Sequence, residues 1–143
     1  ASCYVHVLAS DPAFVGAWSN LGDVGGGTVN GKYYDKLACY IKALELKQNF
    51  PEAWPSLGMQ GGGDVTGVLH SPKQCYIKAL EVKHHFAVVW RNLGVVGGGT
   101  VDGGSYSSQQ CYVSALGRTP QYAAAWNNLG RDGGGIMLGG YTL

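Results

Sequence analysis

The sequence predicts an all-α chain built as an α-solenoid of about four helix-turn-helix repeats, and three observations carry that prediction. Cys3, Cys39, Cys75 and Cys111 fall 36 residues apart, Trp18, Trp54, Trp90 and Trp126 keep the same step, and glycine triplets begin at Gly25, Gly61, Gly97 and Gly133. A period of this length marks one supersecondary unit copied in tandem, each copy burying its apolar face against the next. Leu21, Leu57, Leu93 and Leu129, each followed by glycine, keep the same period.

The elements of one unit follow in order. Pro51 opens a first helix, where its missing N–H costs nothing, and Ala53, Trp54, Leu57 and Gly58 continue at helical spacing with tryptophan and leucine on one face. Asp11-Pro12 and Thr119-Pro120 read as cap-plus-proline versions of that start. The glycine triplet ends the helix, since each glycine costs about 1 kcal/mol relative to alanine in a helix interior. A short loop follows, Asp64-Val65-Thr66-Gly67, matched by Thr28-Val29-Asn30-Gly31 and Thr100-Val101-Asp102-Gly103, with the valine expected to plug into the core. A second helix then begins at Pro72 after the cap Ser71, with Asp35 and Ser107 as equivalent caps. Cys75, Tyr76, Ala79 and Leu80 give it a packed face. No segment carries a strand pattern at this level of reading.

This unit resembles the tetratricopeptide repeat. The resemblance rests on Ala125-Trp126-Asn127-Asn128-Leu129-Gly130 for the first helix, on Tyr40-Ile41-Lys42-Ala43-Leu44-Glu45-Leu46 for the second, and on Pro120 six residues before a tryptophan. It covers essentially the whole chain. The family period is about 34 residues, and the additional residues here lie in the Gly-Gly-Gly-Thr-Val-x-Gly connector, which is similar to that of the related Sel1-like repeats. The resemblance implies a concave groove lined by the first helices, with the residues just after each tryptophan projecting into it. Some members hold a peptide's terminal carboxylate there with basic residues and asparagine; Asn20, Arg91, Asn92, Asn128 and Arg131 fall on such positions.

Composition excludes several classes. Ten basic residues against nine acidic ones give neither a nucleic-acid footprint nor an anionic-membrane patch. No apolar run approaches the roughly 18 residues of a membrane span. Charged residues are only 13% of the chain, about half the roughly 25% usual in soluble domains, which fits a surface partly covered by other protein. The cysteines read as small buried core residues, because equivalent helices lie roughly 10 Å apart and a disulfide needs Cα atoms within about 7 Å; disulfides or a metal site are the alternative. Gly26 to Lys32 imitates a phosphate-binding loop, but Tyr33 stands where Ser or Thr would hold magnesium. The adjacent pair His84-His85 reads as exposed turn residues rather than as metal ligands. Ser and Thr of the connectors read as caps and turn formers, with O-linked sugar or phosphate the lesser alternative. No acid–base pair, nucleophile triad, metal or cofactor site emerges.

The ends of the chain keep the repeat phase: placed tail to head, two copies would continue it with one position missing. Ile136, Met137 and Leu138 add apolar surface near one end, and Tyr4 and Leu8 are their candidate partners at the other. The whole sequence thus reads as one all-α, right-handed α-solenoid, 1–143, without enzymatic activity or cofactor. Its expected partner is a protein or peptide, or copies of itself stacked head to tail into a filament. Either a window of a longer array or a polymerising subunit fits the phase.

Overall fold

A computed structural model of the chain describes residues 2–131, 137–138 and 141–142. The described residues fall into two compact units, 1–75 and 76–143. Unit 1 contains α1 (Ser2–Ser10), α2 (Val15–Asp23), β1 (Gly26–Val29), β2 (Lys32–Asp35), α3 (Lys36–Leu46), α4 (Ala53–Met59), β3 (Gly63–Val65) and β4 (Val68–His70). The helix α5 (Pro72–Val82) carries the chain across the boundary. Unit 2 contains α6 (Ala87–Val95), β5 (Gly99–Val101), β6 (Gly104–Tyr106), α7 (Ser108–Arg118), α8 (Ala123–Arg131), β7 (Met137–Leu138) and β8 (Tyr141–Thr142).

The all-α expectation is therefore wrong: the fold is mixed α/β, and a two-stranded antiparallel hairpin stands where the connector was read as a loop. The cause is local. Asn30-Gly31, Thr66-Gly67 and Asp102-Gly103 all have positive φ, at 49° and 84°, 50° and 84°, and 49° and 81°. Two successive left-handed residues make a type I′ turn, whose twist matches that of the strands it joins. The turns pair Val29 with Lys32, Val65 with Val68 and Val101 with Gly104. Each valine is buried, as the plug reading expects.

Each of the first three hairpins is clamped onto the first helix of its repeat by the tryptophan. The rings of Trp18 and Tyr34 lie 4.6 Å apart, and Trp54–His70 and Trp90–Tyr106 repeat the contact at 4.8 Å. Each indole N–H donates to the backbone carbonyl six residues earlier, Pro12, Gln48, His84 or Pro120, at 2.7 Å every time. That bond occupies the residues proposed from sequence as a helix start: Asp11-Pro12 forms a turn, and α2 begins only at Val15. In α4, Pro55 sits in the first turn, where its nitrogen owes no intrahelical bond.

The second helices start where the sequence places them. Asp35 accepts from the Ala38 N–H at 2.8 Å, and Ser71 with Gln74 and Ser107 with Gln110 form reciprocal capping boxes. The core of unit 1 gathers Trp18, Leu21, Tyr40, Leu44, Trp54 and Leu57, and that of unit 2 Trp90, Leu93, Tyr112 and Leu129. The glycines after Leu21 and Leu93 admit the tyrosine of the next helix: a Cβ on Gly22 would stand 2.7 Å from a Tyr40 ring carbon, and one on Gly94 would collide with the Tyr112 ring. Trp126, expected in the core, is only half-buried.

Candidate functional site

The buried thiols offer no chemistry. Cys39, Cys75 and Cys111 are fully buried, while Cys3, expected to match them, is exposed. Burial, and then the Asp35 carboxylate, pushes the Cys39 thiol up to about 11; burial alone pushes Cys75 up to about 12. A thiol held protonated is neither nucleophile nor metal ligand. Among the described residues no three His, Cys, Asp or Glu side chains gather as a metal site. An open cleft of about 650 Å³ runs along α7, lined by Ser105, Tyr106, Ser107, Gln109, Gln110, Val113 and Ser114. It holds no acid–base pair, and Ser107 and Gln110 are engaged in their capping box.

His84, read as an exposed turn residue, is exposed but engaged. Its Nε2 meets Asp102 Oδ2 at 2.5 Å, and its carbonyl accepts from the Trp90 indole and from Arg118 Nε at 3.0 Å. The Arg118 guanidinium also lies over the Trp90 ring at 5.3 Å. The histidine thus ties the inter-repeat turn to the left-handed tip of the next hairpin.

The first helices carry the remaining candidates. In unit 1 the face of α2 and α4 offers exposed Asn20, half-buried Pro55 and Ser56, and exposed Met59. Ser19 is buried, and Asp23 accepts the Tyr40 hydroxyl at 2.7 Å. Unit 2 is different. Arg91 Nε donates to Asn128 Oδ1 at 2.8 Å, and its Nη1 donates to Asn92 Oδ1 at 3.2 Å. Asn128 is only 7% exposed, so its amide is a fixed strut, and the half-buried guanidinium is aimed by two amide oxygens. Among the described residues Arg91 forms no ion pair, and neither α6 nor α8 contains an acidic residue. A cation oriented by neutral acceptors keeps its charge available for an incoming anion.

Of the five sequence-predicted groove residues, the structure joins Arg91, Asn92 and Asn128. Asn20 stands in unit 1, and Arg131 is exposed at the end of α8. Two flanking residues escaped the sequence reading. Val88 and Val95, on the same face of α6 as Arg91, are 50% and 53% exposed. Their signal was spacing, one turn to either side of Arg91.

For the candidate end contact, Leu8 is fully buried in unit 1 and Tyr4 half-buried. Ile136 lies outside the described residues, and of Met137 and Leu138 only the backbone is described, in β7. Among the described residues no helix is long and apolar enough to cross a membrane.

The fold defines the class as a mixed α/β repeat protein whose unit is a helix pair with an inserted hairpin. No protein-family model matches the chain, and no curated protein matches its sequence.

Proposed function

We propose that this chain is a non-catalytic repeat scaffold that binds a protein or peptide partner on the first-helix face of unit 2. The helix-pair part of each repeat agrees with a divergent tetratricopeptide-like ancestry, and the inserted hairpin sets the chain apart from that family's usual form. One observation carries the functional reading: Arg91 is held by Asn92 and Asn128 without a carboxylate among the described residues to neutralise it. Holding a long cationic side chain in one geometry costs conformational entropy, and a preorganised donor fork returns that cost when a carboxylate docks.

The test is selection of a random peptide library on the full chain, followed by rebinding of the recovered peptides to Arg91→Gln. The expected result is a set of carboxylate-bearing peptides whose affinity falls at least tenfold on the variant, as loss of a charged hydrogen-bonded pair requires. Failure to recover any peptide, or equal affinity for both proteins, would remove the reading.

A further inference from the structure

We infer that the ligand of the Arg91 face is an amphipathic helix that presents an internal acidic side chain between two apolar ones. This rests on the scaffold reading and narrows its partner. Val88 and Val95 lie seven residues apart on α6 with Arg91 between them, and both are half exposed. At about 1.5 Å rise per residue their separation along the helix axis is roughly 10.5 Å.

That spacing discriminates between ligand conformations. An extended peptide repeats one face every second residue, at roughly 6.7 and then 13 Å, so two same-face anchors straddle 10.5 Å without matching it. A ligand helix lying along α6 repeats its face at i and i+7 with the same rise, and position i+3 or i+4 falls midway on that face. The complementary sequence is therefore apolar at i, Asp or Glu at i+3 or i+4, and apolar at i+7. Laying such a stripe onto an apolar surface is an established way for helices to be recognised. The charge is supplied by Arg91, with Arg131 adding a second cation on α8, and no acid on either helix repels the ligand. In unit 1 the corresponding helices α2 and α4 contain no basic residue and α2 ends on Asp23, so the same ligand has no reason to settle there.

The experiment measures fluorescence anisotropy of labelled, helix-favouring peptides against the full chain. The first peptide has Leu at i and i+7 and Glu at i+3; a second replaces Glu by Gln; a third replaces both leucines by Ser; a fourth is unstructured, with no internal acid and a free C-terminal carboxylate. The Glu peptide should bind roughly tenfold or more tighter than the Gln peptide. That preference should vanish in Arg91→Gln and in Asn92→Asp, which sets a carboxylate of nearly equal volume beside the guanidinium. The serine peptide should bind weakly to every protein, and Val88→Ser with Val95→Ser should weaken the Glu and Gln peptides alike. Asn92→Asp keeps the test decisive should Arg91→Gln fold poorly. Equal binding of the Glu and Gln peptides overturns the inference. If the fourth peptide then binds in an Arg91-dependent manner, the scaffold reading survives with a different ligand; if none binds, the inference falls and the scaffold reading rests on its library selection.

Discussion

In unit 1 the inter-repeat turn is tied to the following hairpin by Gln48 Nε2 donating to Thr66 Oγ1 at 2.8 Å; in unit 2, 36 residues later, His84 and Asp102 hold the same two places. The first-helix faces diverge in the same way, Asp23 and Met59 in unit 1 answering to Val95 and Arg131 in unit 2. Beneath these differences the skeleton is constant. The indole-to-carbonyl bond has one length in every copy, the tryptophan of the first three copies meets the third residue of the hairpin's second strand at nearly one distance, and three turns share one pair of positive φ values. The comparison separates two kinds of position: those the repeat needs for packing, and those it leaves to carry chemistry. Recognition should be sought among the second kind.

The largest expected effect tests whether the skeleton is common to both units. Gly62 and Gly98 have φ of 82° and 78°, and a Cβ on either would collide with the carbonyl oxygen of the hairpin's last residue, His70 or Tyr106. Gly62→Ala and Gly98→Ala should each cost about 3 kcal/mol or more, because strain and backbone collision add. Gly61, whose φ is 101° but which faces open space, should cost only about 1 kcal/mol. Urea denaturation of the three variants measures this. If Gly62→Ala and Gly98→Ala differ by more than about 1 kcal/mol, the units do not share one skeleton.

Next in size is the bond that unit 1 has and unit 2 replaces. Burial, and then the hydrogen bond to Asp23, push the Tyr40 hydroxyl up to about 12. Asp23→Val, which writes unit 2's residue into unit 1, should cost about 1–2 kcal/mol by removing a charged acceptor. The pH dependence has a definite sign. Cys39, Cys75 and Tyr40 all titrate higher folded than unfolded, so the folded state binds more protons on the alkaline side. Their contribution is complete below about pH 9 and is lost as pH rises through about 11 to 12. Tyr40→Phe should flatten the portion of that loss above pH 10, read from thermal midpoints across an alkaline series. An unchanged slope would show that the tyrosine does not contribute.

Much of this was legible in the sequence, and what was not has a physical reason. The caps at Asp35, Ser71 and Ser107, the valine plugs and the Trp–Leu core follow from residue type and spacing, because each depends on neighbours within one turn. The hairpins carried a readable signal too: Asn30-Gly31 and Asp102-Gly103 are the dipeptides that type I′ turns demand. It was masked by the glycine triplets beside them, which read as breakers, and by the likeness to an all-helical family. The Arg91–Asn128 bond joins residues 37 apart, one repeat plus one position. The likeness to the tetratricopeptide repeat placed both on a groove, yet only the folded structure shows that the guanidinium is braced by two amides and has no carboxylate partner among the described residues. Nothing local signals the His84–Asp102 tie, since it depends on where a turn meets a hairpin tip.

The smallest expected effect sits at that tie, and it separates the two units most finely. Thr66 holds φ of 50°, a left-handed conformation that β-branched residues resist and that Asn and Asp tolerate. Thr66→Asp therefore relieves strain while keeping an oxygen for Gln48, and should stabilise the protein by several tenths of a kcal/mol. Asp102→Thr imposes the same strain on unit 2 and removes the acceptor for His84, so it should destabilise by a larger amount, still within about 2 kcal/mol. Double-mutant cycles then isolate the pair terms. Both side chains of the His84–Asp102 pair are about half exposed, so their coupling should stay under about 1 kcal/mol and shrink in high salt, whereas the neutral Gln48–Thr66 coupling should not respond to salt. If Thr66→Asp instead weakens unit 1 as Asp102→Thr weakens unit 2, turn strain is not what distinguishes the tips, and each junction has been fitted to its own pair.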